Sequence, residues 1–137
     1  MKARFIFSAA TLAVAFSLAA HSANLPSAQT VDGITFLSGG VGHEEASALK
    51  AEAKNYPLSL VFTAGPRHAF VSEVKVTIKD KAGKVVLDST SDGPIMLVKL
   101  PAGEYRIDAV QGDASLQRKV HVAAQGGKQV AFHWRTA

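Results

Sequence analysis

The chain has 137 residues, 15 basic and 11 acidic side chains, a formal net charge of +4 and no cysteine. A single domain fits this length. Without cysteine there can be no disulfide, no thiolate nucleophile and no lipid-modified N-terminal cysteine.

The first segment reads as an export signal. Lys2 and Arg4 make a short positive start, and an apolar run from Phe5 to Ala20 is broken only by Ser8, Thr11 and Ser17. The small residues Ala19, Ala20, Ser22 and Ala23 close it, which completes a secretory signal over 1–23. The run is shorter than the ~20 residues a membrane-spanning helix needs. Polar Asn24, Ser27, Gln29 and Asp32 follow, with no positive cluster to stop transfer. Contact with the membrane is therefore expected to be transient, through the signal alone. Cleavage after Ser22 places small residues at both recognition positions; cleavage after Ala23 places His21 at the outer one. The expected destination is the periplasm, with full secretion as the alternative.

Removing 23 of the 137 residues leaves 114, enough to bury a core without covalent staples. Lys2 and Arg4 leave with the signal, so 13 basic residues face 11 acidic ones, a net of +2. The remaining lysines are scattered along the sequence, whereas a nucleic-acid surface clusters its charge. Nucleic acid is not an expected partner.

Residues 24–42 read as a flexible arm. Ser38-Gly39-Gly40-Val41-Gly42 would order only at a high conformational cost. A short helix is expected over 43–56. Glu, Ala, Leu and Lys dominate from His43 to Asn55, with Glu44 and Glu45 early and Lys50 and Lys54 late, as the helix dipole favours. Pro57 ends it.

From Leu58 the hydrophobic period becomes two. Leu58, Leu60 and Phe62 alternate with more polar neighbours, as do Val74, Val76 and Ile78; Tyr105, Ile107 and Ala109; Val120 and Val122; and Val130, Phe132 and Trp134. Such alternation marks strands with one buried face. Turn signals separate them: Lys81 to Lys84, Asp92-Gly93-Pro94, Pro101-Ala102-Gly103, Gly112-Asp113 and Gln125-Gly126-Gly127, the first and the last two as hairpin loops. Seven strands are expected, at about 58–64, 71–80, 84–90, 95–100, 104–111, 114–123 and 128–135. The expected fold is all-β: an antiparallel two-sheet sandwich over 57–137.

Three stretches carry a resemblance: Val74-Lys-Val-Thr-Ile-Lys-Asp-Lys-Ala-Gly83, Ser91-Asp-Gly93 and Leu100-Pro-Ala-Gly-Glu-Tyr105. Together they resemble the carboxypeptidase regulatory-like family, which groups with transthyretin-like and collagen-adhesin B-type sandwiches. The resemblance spans roughly 58–135 and implies a prealbumin-like, seven-stranded Greek-key sandwich. Within it, Pro101 and Gly103 make a tight turn and Tyr105 enters the core at the next strand. The fold implies little about function, because it hosts unrelated roles.

Candidate chemistry is sparse. Ser47-Ala-Leu-Lys50 has the spacing of a serine acyl-transfer motif but lacks its supporting motifs. The transthyretin-like group includes an enzyme hydrolysing 5-hydroxyisourate, with a C-terminal Tyr-Arg-Gly-Ser; this chain ends Trp134-Arg-Thr-Ala137, so that activity does not transfer. The lysine–asparagine crosslink of collagen-adhesin domains lacks its lysine in 58–64 and its asparagine in 128–135. His43-Glu44-Glu45 lacks a second histidine, and glycines 38–42 lack the following Lys-Ser/Thr of a phosphate loop.

Metal binding rests on two candidate residues, His121 and His133. If Gln125 to Lys128 closes a tight hairpin, the two histidines become diagonal neighbours on a solvent-facing surface, with His43 or His68 as a third ligand from a loop. Solvated surface histidines are the simpler reading. Phe36, Tyr56 and Phe70 are the aromatics left outside the inward phases. No cofactor is expected and no catalytic constellation emerges. The expected function is a non-enzymatic exported sandwich that binds or scaffolds another envelope component, a protein or a second copy. The alternative is a module for a small ligand, carbohydrate or metal.

Overall fold

A computed structural model describes residues 25–136. The signal assigned to 1–23 lies outside these residues. Among the described residues no helix is long and apolar enough to cross a membrane.

Two β-sheets pack face to face. The larger contains β1 (Gln29–Val31), β2 (Ile34–Gly39), β3 (Leu58–Ala64), β4 (Ala69–Phe70), β7 (Ile95–Lys99) and β10 (Lys128–Trp134). Its order is β1-β2-β7-β3-β10, with β4 paired to the end of β3. The smaller contains β5 (Lys75–Asp80), β6 (Val85–Thr90), β8 (Gly103–Gln111) and β9 (Ala114–Val122), in the order β6-β5-β8-β9. Among the described residues one α-helix, α1 (His43–Glu52), continues into a 3-10 turn at Ala53–Asn55.

The core follows the period-two pattern. Leu58, Leu60, Phe62 and Ala64 of β3 face the smaller sheet, beside Val130, Phe132 and Trp134 of β10. Val76, Ile78, Ile107, Ala109, Val120 and Val122 meet them from the other side. The Phe62 ring lies 5.9 Å from that of Phe132 and 6.3 Å from that of Trp134, within the usual range for aromatic pairs. Tyr105 enters this core at the start of β8, and its hydroxyl donates to the Pro101 carbonyl at 2.7 Å. The phenol thus ties the strand to the turn before it. Burial raises the Tyr105 pKa above its ordinary value, with a smaller contribution from Asp80.

From Ile95 to Val98, strand β7 is buried on both faces. Met96 and Val98 point into the main core; Ile95 and Leu97 point the other way, beneath α1, with Leu37, Ala46, Leu49 and Tyr56. The chain is therefore three layers thick here, and the unbroken apolar run Ile95–Val98 is the sequence mark of a strand covered on both sides. At the start of α1 no side chain caps the helix in the usual way; instead Glu45 accepts the Gly40 N–H at 2.7 Å. That bond joins the end of β2 to the first helical turn.

Several expectations are corrected. The flexible arm placed at 24–42 contains the β1–β2 hairpin, which puts Ile34, Phe36 and Leu37 into the core. Gly39 does not loosen this segment: a Cβ on Gly93 would fall on the Gly39 backbone, so Gly93 lets the β6–β7 turn touch β2, and a Cβ on Gly39 itself would meet the Glu45 side chain. The described residues form ten strands rather than seven; β1, β2 and the two-residue β4 are additional. Strand β5 begins at Lys75 rather than near 71, because Glu73 has a positive φ of 57° that breaks the extended chain. The sandwich is not wholly antiparallel, since β10 runs parallel to β3 from Lys128↔Leu58 to Trp134↔Ala64. Gln125-Gly126-Gly127 is accordingly not a hairpin turn: it carries the chain from β9 in the smaller sheet to β10 in the larger. Phe36 and Tyr56, left outside the inward phases in the sequence reading, are buried.

Candidate functional site

The sheet crossing separates the two histidines singled out in the sequence. His121 pairs with Glu104 across β8 and β9, on the smaller sheet. His133 pairs with Thr63 on the larger sheet, its Nδ1 3.0 Å from the Thr63 hydroxyl. His68, from the turn between β3 and β4, stacks on His133 with centroids 3.8 Å apart and planes 13° from parallel. Face-to-face rings do not converge their lone pairs on one point. Among the described residues no group of three or more His, Asp or Glu side chains is placed to hold a metal ion. His43 is the exposed first residue of α1. Ser47 and Lys50 are both exposed, and the Lys50 ammonium lies 5.6 Å from the Phe70 ring centroid.

Phe70 leads to the first of two surfaces. Helix α1 covers the outer face of β2 and β7 but stops short of β3 and β10. A groove of about 420 Å³ remains between helix and sheet, lined by Leu49, Ala53, Val61, Phe70 and Ile95 with polar Ser59 and Gln129. Leu49 and Ile95 are buried beneath the helix, whereas Phe70 is 51% exposed on the rim. A large apolar side chain held open beside an aliphatic groove is a common mark of an interaction site. At the helix end, Tyr56 is buried and its pKa is raised, by burial first and by Glu52 second.

Strand β10 borders this groove and ends the sheet. Its N–H of Lys128 donates to Pro57 and its carbonyl of Trp134 accepts from Gly65, so even-numbered residues face β3. The backbone groups of Gln129, Ala131 and His133 therefore point away from β3, along the open edge. One of them is engaged: Arg118 Nη2, reaching over from edge strand β9, donates to the Ala131 carbonyl at 3.0 Å. Its guanidinium carbon also lies 5.7 Å from the Phe132 ring centroid. Trp134 Nε1 donates to the Ala114 carbonyl at 3.1 Å, a second link between the sheets on this side.

The second surface is a cleft of about 470 Å³ on the outer face of the smaller sheet, lined in part by Lys79, Lys81, Arg106, Lys119, Glu104 and His121. These residues look scattered in the sequence and are gathered by strand register. Sequence reasoning missed the cluster because pairing between β5, β8 and β9 is what assembles it.

No family model matches the chain. No curated protein matches it. Among solved structures it is similar to the crystal structure of BcpA, the major pilin subunit of Bacillus cereus, at 18% identity and a TM-score of 0.42. The match covers 56% of this chain and 27% of the pilin, so the likeness spans about a quarter of that protein's length.

Proposed function

We propose that this chain is a non-enzymatic exported β-sandwich, periplasmic or secreted, that binds or scaffolds an envelope protein by taking up an extended segment of it. The groove between α1 and strands β3 and β10 carries this reading. It is aliphatic, and Phe70 is exposed at 51% on its rim. It adjoins an edge strand with outward-facing backbone groups. A peptide laid along β10 would hydrogen-bond the edge and send alternate side chains toward the groove, the usual division of labour in strand addition. The non-enzymatic part is supported by the dispersion of the candidate nucleophile and bases: Ser47, His43, His121 and the His68–His133 stack occupy separate places.

Site-specific photocrosslinking in cells tests the proposal. Crosslinkers at Phe70 and Gln129 are expected to capture one extended segment of a partner that a crosslinker at Asp88, on the other sheet, does not capture. A synthetic peptide of that segment should bind the purified chain and lose binding to Phe70→Glu. Equal capture at all three positions, or peptide binding indifferent to Phe70→Glu, refutes it.

A further inference from the structure

The cleft on the smaller sheet has a charge pattern that folding alone does not account for. Lys79 pairs with Arg106 across β5 and β8, and Arg106 pairs with Lys119 across β8 and β9. All three share the solvent side, because their neighbours Ile78, Tyr105, Ile107 and Val120 point into the core. Neighbouring strands lie about 4.8 Å apart, so the backbones of these three cationic residues span about 10 Å. Like charges directly opposite one another destabilise a sheet. Lys81, in the following turn, adds a fourth cation to the same cleft.

Asp80 and Glu104 also line the cleft, so four cations face two carboxylates and a net charge of +2 is left unmet. Asp80 is committed to the turn, its Oδ1 accepting the N–H groups of Ala82 and Lys84 at 2.9 Å each. Glu104 stands opposite His121, one rung from the cations. Asp108 lies one rung further along β8, between Thr77 and Gln117. Arg106 is the central member of the rung, and its Nε is buried without a hydrogen-bond partner. Asp108 Oδ1 is likewise unpartnered, so it does not supply the missing acceptor. A buried guanidinium N–H is costly to leave unpaired and donates well to planar or tetrahedral oxyanions.

We infer that this cleft is an oxyanion site that binds a phosphate monoester, with Arg106 as the central donor and Lys79 and Lys119 as flanking charges. The charge count selects phosphate: a monoester carries about −1.5 to −2 at neutral pH and offers three acceptor oxygens, which matches the net +2 of the cleft, whereas a carboxylate would offset half of it. The open cleft admits a phosphate carried on a larger molecule, either a lipid headgroup or a soluble ester. The site lies on the opposite sheet from the α1 groove, and its test is independent of the groove reading.

The experiment is an amide-resolved NMR titration of the purified chain with inorganic phosphate, against chloride at matched ionic strength. Saturable shifts are expected at residues 79–83, 104–106 and 119–121. Arg106→Gln should weaken binding about tenfold or more, and exposed Lys119→Gln by a smaller factor with the fold unchanged. Phe70→Glu should bind as the parent does. Equal response to chloride, or affinity unchanged in both cleft variants, overturns the assignment. Flotation with phosphatidylcholine vesicles, with and without phosphatidic acid, then separates the sources. Retention that requires phosphatidic acid and Arg106 identifies a lipid-borne phosphate; phosphate binding without retention identifies a soluble ester.

Discussion

Arg118 of β9 donates to the carbonyl of Ala131 in β10 at 3.0 Å, joining the edge strands of two different sheets. The acceptor is an outward-facing edge carbonyl, so the bond guards one of the backbone groups that a foreign strand would use. Native sheets commonly blunt their edges with charged side chains in this way.

The guard can be removed separately from the fold. Arg118 is exposed, so Arg118→Ala should change stability by about 1 kcal/mol or less. It should, however, raise edge pairing. Sedimentation velocity is expected to show concentration-dependent association in the variant that the parent lacks, and tighter binding of any peptide that adds to β10.

Gly93→Ala tests the contact between β2 and the β6–β7 turn. The new Cβ would meet the Gly39 backbone rather than a flexible side chain, so nothing nearby can yield cheaply. Adjacent bonds would also be disturbed, including Asp92 N–H to Ser38 Oγ at 2.9 Å. A loss of about 2 kcal/mol or more is expected in urea unfolding. Gly83→Ala, in an open turn, is a weaker comparison because its own positive φ of 89° adds strain.

Two phenols predict the alkaline behaviour. Tyr105 and Tyr56 hold their protons more tightly in the folded chain than at the ordinary phenol value of 10.0. A group with a raised folded pKa contributes stability that is complete below its unfolded value and is lost as pH rises through the folded one. The urea midpoint should therefore show no phenol-linked slope below pH 10 and should fall above it. Tyr105→Phe should remove part of that slope. It should also cost about 1 kcal/mol at neutral pH through the lost bond to Pro101.

Leu49→Ala loosens the helix. Leu49 is fully buried and packs α1 against Ile95 and Leu97. Truncation should cost about 2–5 kcal/mol in thermal or urea unfolding. It should also weaken peptide capture by widening the groove, while leaving phosphate binding on the other sheet as it was.

The sequence resolved what depends on local period. Strand β3 was legible to its ends, and the inward residues of β8, β9 and β10 followed from alternation. Strand β2 was not, because Ser38, Gly39 and Gly40 carry the composition of a loop while serving a close backbone approach. The link at 125–127 was misread for a related reason: two glycines after a strand suit a hairpin turn and a sheet crossing alike. That single ambiguity misplaced His121 beside His133. The Lys79–Arg106–Lys119 rung lay beyond local reading altogether, since it exists only once β5, β8 and β9 are in register.

The parallel pairing of β10 with β3 also has a kinetic meaning. Thr63 and His133 touch across a separation of 70 residues. The smaller sheet, built partly from the β5–β6 and β8–β9 hairpins, can begin to assemble from local contacts. The larger sheet cannot finish until its last strand reaches back to the third. Long-range pairing of this kind slows folding. Until it happens, Phe62 and Leu60 lack the neighbours that bury them. A chain emerging end-first would therefore pass through an interval with β3 uncovered on that side, and closure of the larger sheet would be its last committed step.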